Sequence, residues 1–316
     1  MEESAFRVLD RAPAALRRHP GWWALWTLSL LPFWFLYGVA DVLALVLYRV
    51  VGYRRRVVRE NLARSFPEKS EAERQQIERR FYRNLADILV ETIKLCSMSA
   101  EQLARRFRYG ASEVVITTYL EQGQTVLILG SHMGNWEWML PAACGAYAPH
   151  RIASAYKPVS SWFAEALLTY LRTRAGGQLI RMQDVGRDVV RNRSVPRALC
   201  MIADQTPPGG EIQFFTRFLN QDTPFFVGGD KLAAGFRFPT FFLEMRKVRR
   251  GYYEATPHLI YDGLTPLPAP SRRDLDDPTQ HPITERFARA LEENIRRSPA
   301  EYLWSHKRWK NARPGR

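Results

Sequence analysis

A histidine and a carboxylate five positions apart stand in the stretch Gly130-Ser-His-Met-Gly-Asn-Trp-Glu-Trp138. His132 can act as a general base near neutral pH. A carboxylate beside it fixes the tautomer and favours the charged form. Such a pair can take a proton from a hydroxyl. Five residues of helix turn through roughly 500°, so His132 and Glu137 do not share a face of one continuous helix. They meet only if His132 sits in a turn and Glu137 on the first turn of the helix that follows. Gly134 permits the turn, and Asn135 can cap the helix. Other chemistries fit less well. The spacing is not H-E-x-x-H, and no nearby His or Cys supplies a third zinc ligand. Ser131 lacks the G-x-S-x-G frame of a serine-hydrolase elbow. The reading without chemistry is a packed polar residue at a strand end.

The elements that must position these residues are legible around them. Thr125 to Leu129 is an apolar run of buried-strand length. A strand ending in Gly-Ser-His delivers the imidazole to a sheet edge, where ligands bind in α/β folds. The run 151–156 ends in Tyr156-Lys157-Pro158. Lys157 is either a point charge for phosphate or a developing oxyanion, or a solvated lysine. The run 198–203 ends in Ala203-Asp204-Gln205. Asp204 can accept a substrate hydroxyl, orient a base or cap a loop. A fourth run covers 240–245.

Helical patterns separate these runs, notably 160–175, closed by Gly176-Gly177. Ser70-Glu-Ala-Glu73 is a capping box that opens a helix through Lys94. That helix places Ile77, Phe81, Leu85, Ile88, Leu89 and Ile93 on a core face. Thr223-Pro224 reads as the cap of a helix through Phe236, and 284–297 as an amphipathic helix. Pro- and Gly-rich pieces at 206–210 and 262–272 read as loops. The alternation implies an α/β fold: a mixed, mostly parallel central sheet flanked by helices.

The chain has 316 residues, 46% of them hydrophobic, enough for a large core. Lys plus Arg number 46 against 32 Asp plus Glu, a net charge of +14. That excess calls for an anionic partner. Cys96, Cys144 and Cys200 lie in apolar contexts without metal spacing and read as buried thiols in a reducing compartment.

Residues 1 to 20 form a short basic lead with Arg11, Arg17, Arg18 and His19. Trp22 to Ala40 then carries no charge, and as one helix it would span roughly 28 Å, close to a hydrocarbon core. It reads as an N-terminal membrane-anchoring helix or a deep interfacial hairpin, with Pro32 a kink; the alternative is a cleaved signal peptide, for which Tyr37-Gly-Val-Ala40 is a poor site. Val42 to Val51, interrupted by Arg49, reads as an interfacial segment. Residues 1–51 are therefore expected to form the anchor and 52–316 the catalytic domain. The denser basic content downstream places that domain in the cytoplasm. In the tail, Tyr302-Leu-Trp-Ser-His-Lys-Arg-Trp-Lys310 reads as a basic aromatic surface. Beside an anchor it suits a membrane or a phosphorylated glycolipid, not nucleic acid. Arg49 to Arg59 and Arg296 to Arg316 would form a basic rim, with Lys307 and Arg308 holding acceptor phosphates.

These residues together resemble a known family. Gly130-Ser-His-Met-Gly-Asn-Trp-Glu is similar to the H-x4-D/E block of membrane acyltransferases, in the form of the bacterial lipid A biosynthesis lauroyl/myristoyl acyltransferases. Arg59-Glu-Asn-Leu-Ala-Arg-Ser-Phe-Pro67, Tyr156-Lys157-Pro158, Ala203-Asp-Gln205, Thr223 to Ala233 and Trp304 to Lys310 resemble further blocks of that family in order. Lys157 stands where Arg is common, and Thr216 where Gly is. The resemblance implies an O-acyltransferase without a cofactor. His132 would deprotonate an acceptor hydroxyl with Glu137 holding the imidazole, while Asn135, Lys157, Asp204, Gln205, Lys307 and Arg308 bind substrate. The donor would be acyl carrier protein or another acyl thioester, and the acceptor a phosphorylated lipid A precursor at the bacterial inner membrane. A glycerophospholipid or aminolipid acyltransferase and a silent membrane-bound lipid-binding protein are the alternatives.

Overall fold

The computed structural model describes residues 12–110, 113–268 and 275–313. Arg11 of the basic lead, residues 269–272 of the second Pro- and Gly-rich loop and residues 314–316 of the basic tail lie outside them. The strands are β1 (Phe107–Tyr109), β2 (Val126–Gly130), β3 (Arg151–Tyr156), β4 (Gln178–Arg181), β5 (Arg197–Ile202), β6 (Phe215–Phe218), β7 (Gln221–Pro224), β8 (Thr240–Arg249) and β9 (Tyr252–Tyr261). Seven form one sheet in the order β1-β9-β8-β2-β5-β3-β4, and β6 and β7 form a separate ribbon. The five strands from β8 to β4 run parallel. β9 turns back antiparallel on β8, and β1 runs parallel to β9. All five residues of β2 are buried, as expected of a strand with neighbours on both sides and helices on both faces. The fold is thus the mixed, mostly parallel α/β sheet read from the sequence.

The helices are α1 (Ala14–Arg17), α2 (Pro20–Leu30), α3 (Phe33–Leu45), α4 (Arg55–Ser65), α5 (Glu71–Lys94), α6 (Ala100–Arg106), α7 (Glu113–Glu121), α8 (Trp136–Ala146), α9 (Trp162–Thr173), α10 (Val185–Arg191), α11 (Gly228–Phe236) and α12 (Pro282–Arg297). The capping box of α5 forms in full: Ser70 Oγ accepts from the Glu73 N–H and the Glu73 carboxylate accepts from the Ser70 N–H. Thr223-Pro224 does not cap α11. Both residues sit in β7, where the Thr223 hydroxyl donates to the Gln221 carbonyl, and the helix starts at Gly228.

The N-terminal region departs from the expected single span. Pro32 breaks the uncharged stretch outright, with Leu31 and Pro32 both extended. The half before the break is not lipid-facing as a whole. Trp22 and Trp26 of α2 are buried in the same core as the sheet strands. Among the described residues, the apolar helix long enough to cross a membrane is Phe33–Val50, formed by α3 and one π-helical segment, Val46–Val50. One of its faces docks on α5, where Leu36, Ala40 and Ala44 meet Ala86 and Val90. Its other face leaves Trp34, Val42 and Leu45 exposed.

The tail also departs. Tyr302, Trp304 and Trp309 are core residues, not an interfacial surface. Trp304 stacks on Trp309, and their indole N–H groups donate to the Pro299 carbonyl and to Thr223 Oγ1. The segment returns to the turn after β2. Tyr302 bridges Met133, the Leu303 N–H donates to the His132 carbonyl at 3.2 Å, and the Gly134 N–H donates to the Glu301 carbonyl at 3.2 Å. Asn61 of α4 clamps the same segment through the Trp304 and His306 carbonyls.

Candidate active site

The turn Ser131–Asn135 carries His132 from the end of β2 to the start of α8. Gly134 has φ +53, and a Cβ there would lie 2.9 Å from Met245 Sδ, so both backbone and space call for glycine. Asn135 caps α8 as expected, its Oδ1 accepting from the Trp138 N–H at 3.0 Å. Its amide N–H donates to Glu91 at 2.7 Å. Glu91 is a fully buried carboxylate on α5 whose pKa burial pushes up to about 7.

The carboxylate that holds the imidazole is Asp204, not Glu137. The register of β2 and β5 sets Gly130 opposite Ile202, which brings the two residues beyond each strand end together. Asp204 Oδ1 lies 2.7 Å from His132 Nδ1, and Oδ2 accepts from the His132 backbone N–H at 3.0 Å. With Nδ1 as the donor, Nε2 carries the free lone pair. Gln205 Nε2 lies 3.2 Å from it, where an acceptor hydroxyl would sit. Burial alone would raise the Asp204 carboxyl. The attraction of the His132 ring, the two hydrogen bonds from His132 and the nearby Arg308 outweigh burial and hold it below its ordinary range.

Glu137 lies on the first turn of α8 as expected but faces α9. Arg172 Nε donates to its Oε2 at 2.9 Å and Nη2 to its Oε1 at 2.7 Å. Trp136 Nε1 also donates to Oε1, and the Trp136 ring packs edge-on 5.3 Å from the imidazole. Glu137 therefore bears on His132 through Trp136. Glu137→Gln and Arg172→Gln are each expected to lower kcat by about 10–100-fold, and the double substitution by little more. Steady-state kinetics of the three variants checks this; independent, multiplying losses would separate the pair.

Lys157 is exposed just after β3, with β5 between that strand and β2. Lys307 is exposed as expected of a rim cation, but Arg308 is not. At 1% exposure its guanidinium lies 4.4 Å from the Phe225 ring, and Nη1 donates to the Pro224 carbonyl at 2.8 Å. It is a buried cation whose field adds, after His132, to what keeps the Asp204 carboxyl low. Arg308→Ala is expected to destabilise the fold by about 2–5 kcal/mol, because it empties a large buried site and leaves the Pro224 carbonyl without its donor. Lys307→Ala should cost under about 0.5 kcal/mol; urea unfolding of both variants measures the difference. His306 is also largely inside, and burial pushes its imidazole down to about 4. The sequence does not single out Arg172 or Glu91, and offers Asn61 only within the block Arg59 to Pro67, because each sits in an ordinary helical pattern with its partner far away in the chain.

A buried carboxylate, an imidazole with an open nitrogen and a strand-edge location make a base for a hydroxyl, the half-reaction of an O-acyl transfer. The chain matches the family "Bacterial lipid A biosynthesis acyltransferase" over residues 11–311, nearly its whole length, and it belongs to that family. It is an acyltransferase by family. No curated protein sequence matches it.

Proposed function

We propose that this protein moves a fatty acyl chain from an acyl thioester, carried by acyl carrier protein, to a hydroxyl of a phosphorylated lipid A precursor. The observation that carries the reading is His132, held by Asp204 with Nε2 open toward Gln205. The acceptor hydroxyl takes the place of the Gln205 amide and gives its proton to Nε2. Its oxygen attacks the thioester carbonyl carbon, the C–S bond breaks, and the leaving thiolate takes the proton back from the imidazolium. Asp204 balances the imidazolium throughout. Glu137 and Arg172 hold Trp136 against the ring, and Asn135 fixes the turn. Lys157 serves the developing oxyanion or an acceptor phosphate, and Lys307 a second phosphate. The acidic carrier protein suits the net charge of +14. The exposed face of Phe33–Val50 supports residence at the inner membrane, with the basic domain on the cytoplasmic side.

The test is transfer from acyl carrier protein to a lipid A precursor by the purified protein in detergent. One new ester on the precursor, with one carrier thiol freed per ester, is the expected result. Acylation of a glycerophospholipid instead, or thioester loss without ester formation, would overturn it.

A further inference from the structure

A second cleft lies behind the catalytic turn, between α5, the β8–β9 turn and the segment after α12. It encloses about 550 Å3 and is lined by Arg80, Arg83, Lys247, Arg249, Arg250 and Arg297 against two carboxylates, Asp87 and Glu301. Both carboxylates are engaged, Glu301 by the Lys247 backbone N–H at 3.0 Å. Asp87 accepts from Lys247 at 2.9 Å and from Arg250 at 2.7 Å. Asp41 of α3 takes Arg250 at 2.9 Å and reaches Arg83 only at 3.6 Å. Arg297 turns to Glu244 at 3.1 Å. Arg80 and Arg249 are exposed and pair with no carboxylate among the described residues; Arg249 lies over the Tyr252 ring at 3.8 Å.

The rim of the cleft adjoins an apolar surface. Asp41 precedes Val42, which is 63% exposed on the free face of α3, and Arg249 follows Val248, 56% exposed at the β8–β9 turn. Uncommitted guanidiniums beside exposed apolar side chains match the layering of a bilayer surface. The apolar groups enter the acyl boundary while the cations meet phosphates. Guanidinium is the group best shaped to grip a phosphate with two N–H groups.

We propose that this cleft binds the phosphate of an anionic phospholipid headgroup, with Arg80 and Arg249 as the main contacts and Arg83 as a third. The docked lipid orients the protein on the membrane and is separate from the acyl acceptor at His132.

The experiment is flotation of the purified full-length protein with vesicles, a readout that needs no turnover and so is independent of the proposed reaction. Vesicles of phosphatidylcholine alone are compared with vesicles containing phosphatidylglycerol. Wild type should favour the anionic vesicles. Arg80→Gln with Arg249→Gln should cut that preference about tenfold or more, each basic residue near an anionic surface contributing severalfold. Arg191→Gln with Arg193→Gln, an equal loss of two charges at the end of α10, should keep it. Equal melting temperatures of the three proteins confirm that folding is not the cause. Undiminished preference in the Arg80 and Arg249 double variant overturns the proposal, whether the cleft then binds an acidic protein or nothing. Stabilisation of wild type by inorganic phosphate alone, lost in that same variant, would likewise overturn it by assigning the cleft to a soluble ligand.

Discussion

His132→Ala should lower kcat for acyl transfer by about 10²–10⁴-fold, the range for losing a positioned general base, and leave the KM for the thioester near its wild-type value. In the proposed reaction the imidazole acts on the proton of the acceptor, so its loss is felt in the transition state more than in donor binding. The fold should survive. The backbone N–H of residue 132 still donates to Asp204, Leu303 still pairs with the residue 132 carbonyl, and the field of Arg308 still acts on Asp204. Steady-state kinetics with separate measurement of ester formed and thiol freed makes the check. Wild-type-like ester formation in a folded His132→Ala protein would end the mechanism.

Asp204→Asn should cost as much or more, up to about 10⁴ in kcat, the size of effect seen when a base loses the carboxylate that sets its tautomer. Asparagine fills the same space but can turn an N–H toward Nδ1. The ring then carries its proton on Nε2, the atom that must accept one. The same substitution has a pH signature. The Asp204 carboxyl is held below its ordinary value in the folded protein. Its contribution to stability is therefore complete above that ordinary value, about 4, and is lost as pH falls through the folded value. Wild type should lose stability in acid more steeply than Asp204→Asn, as followed by urea midpoints against pH. Parallel profiles together with unchanged turnover would show that Glu137, not Asp204, serves the imidazole.

The sequence was most legible where the signal is local. The continuous apolar run of β2, the capping box at Ser70 and the glycine and asparagine of the catalytic turn each depend on neighbours a few residues away. The partner of His132 was not local. Glu137 is five residues off, whereas Asp204 arrives through strand pairing across 72 positions. Reading both strand ends as polar placed Asp204 at the right edge, but only the register joins it to the ring. The tail misled for another reason. Tryptophans interleaved with cations have the same composition whether they lie at a membrane surface or in a core with one buried arginine. The break at Pro32 was visible, yet hydropathy alone gives no account of which side of it packs against the protein.

The strap from Glu301 to Trp304, laid across the turn that carries His132, sets the order in which this enzyme can come into being. The turn borrows backbone partners from about 170 residues later in the chain, and α4 grips the same strap from about 240 residues earlier. Contacts of such long sequence separation form late and slowly. A nascent chain can thus bury its first helices and lay out much of the sheet while its base is still unframed. The turn that carries His132 is framed only after the strap has been made and has closed over it.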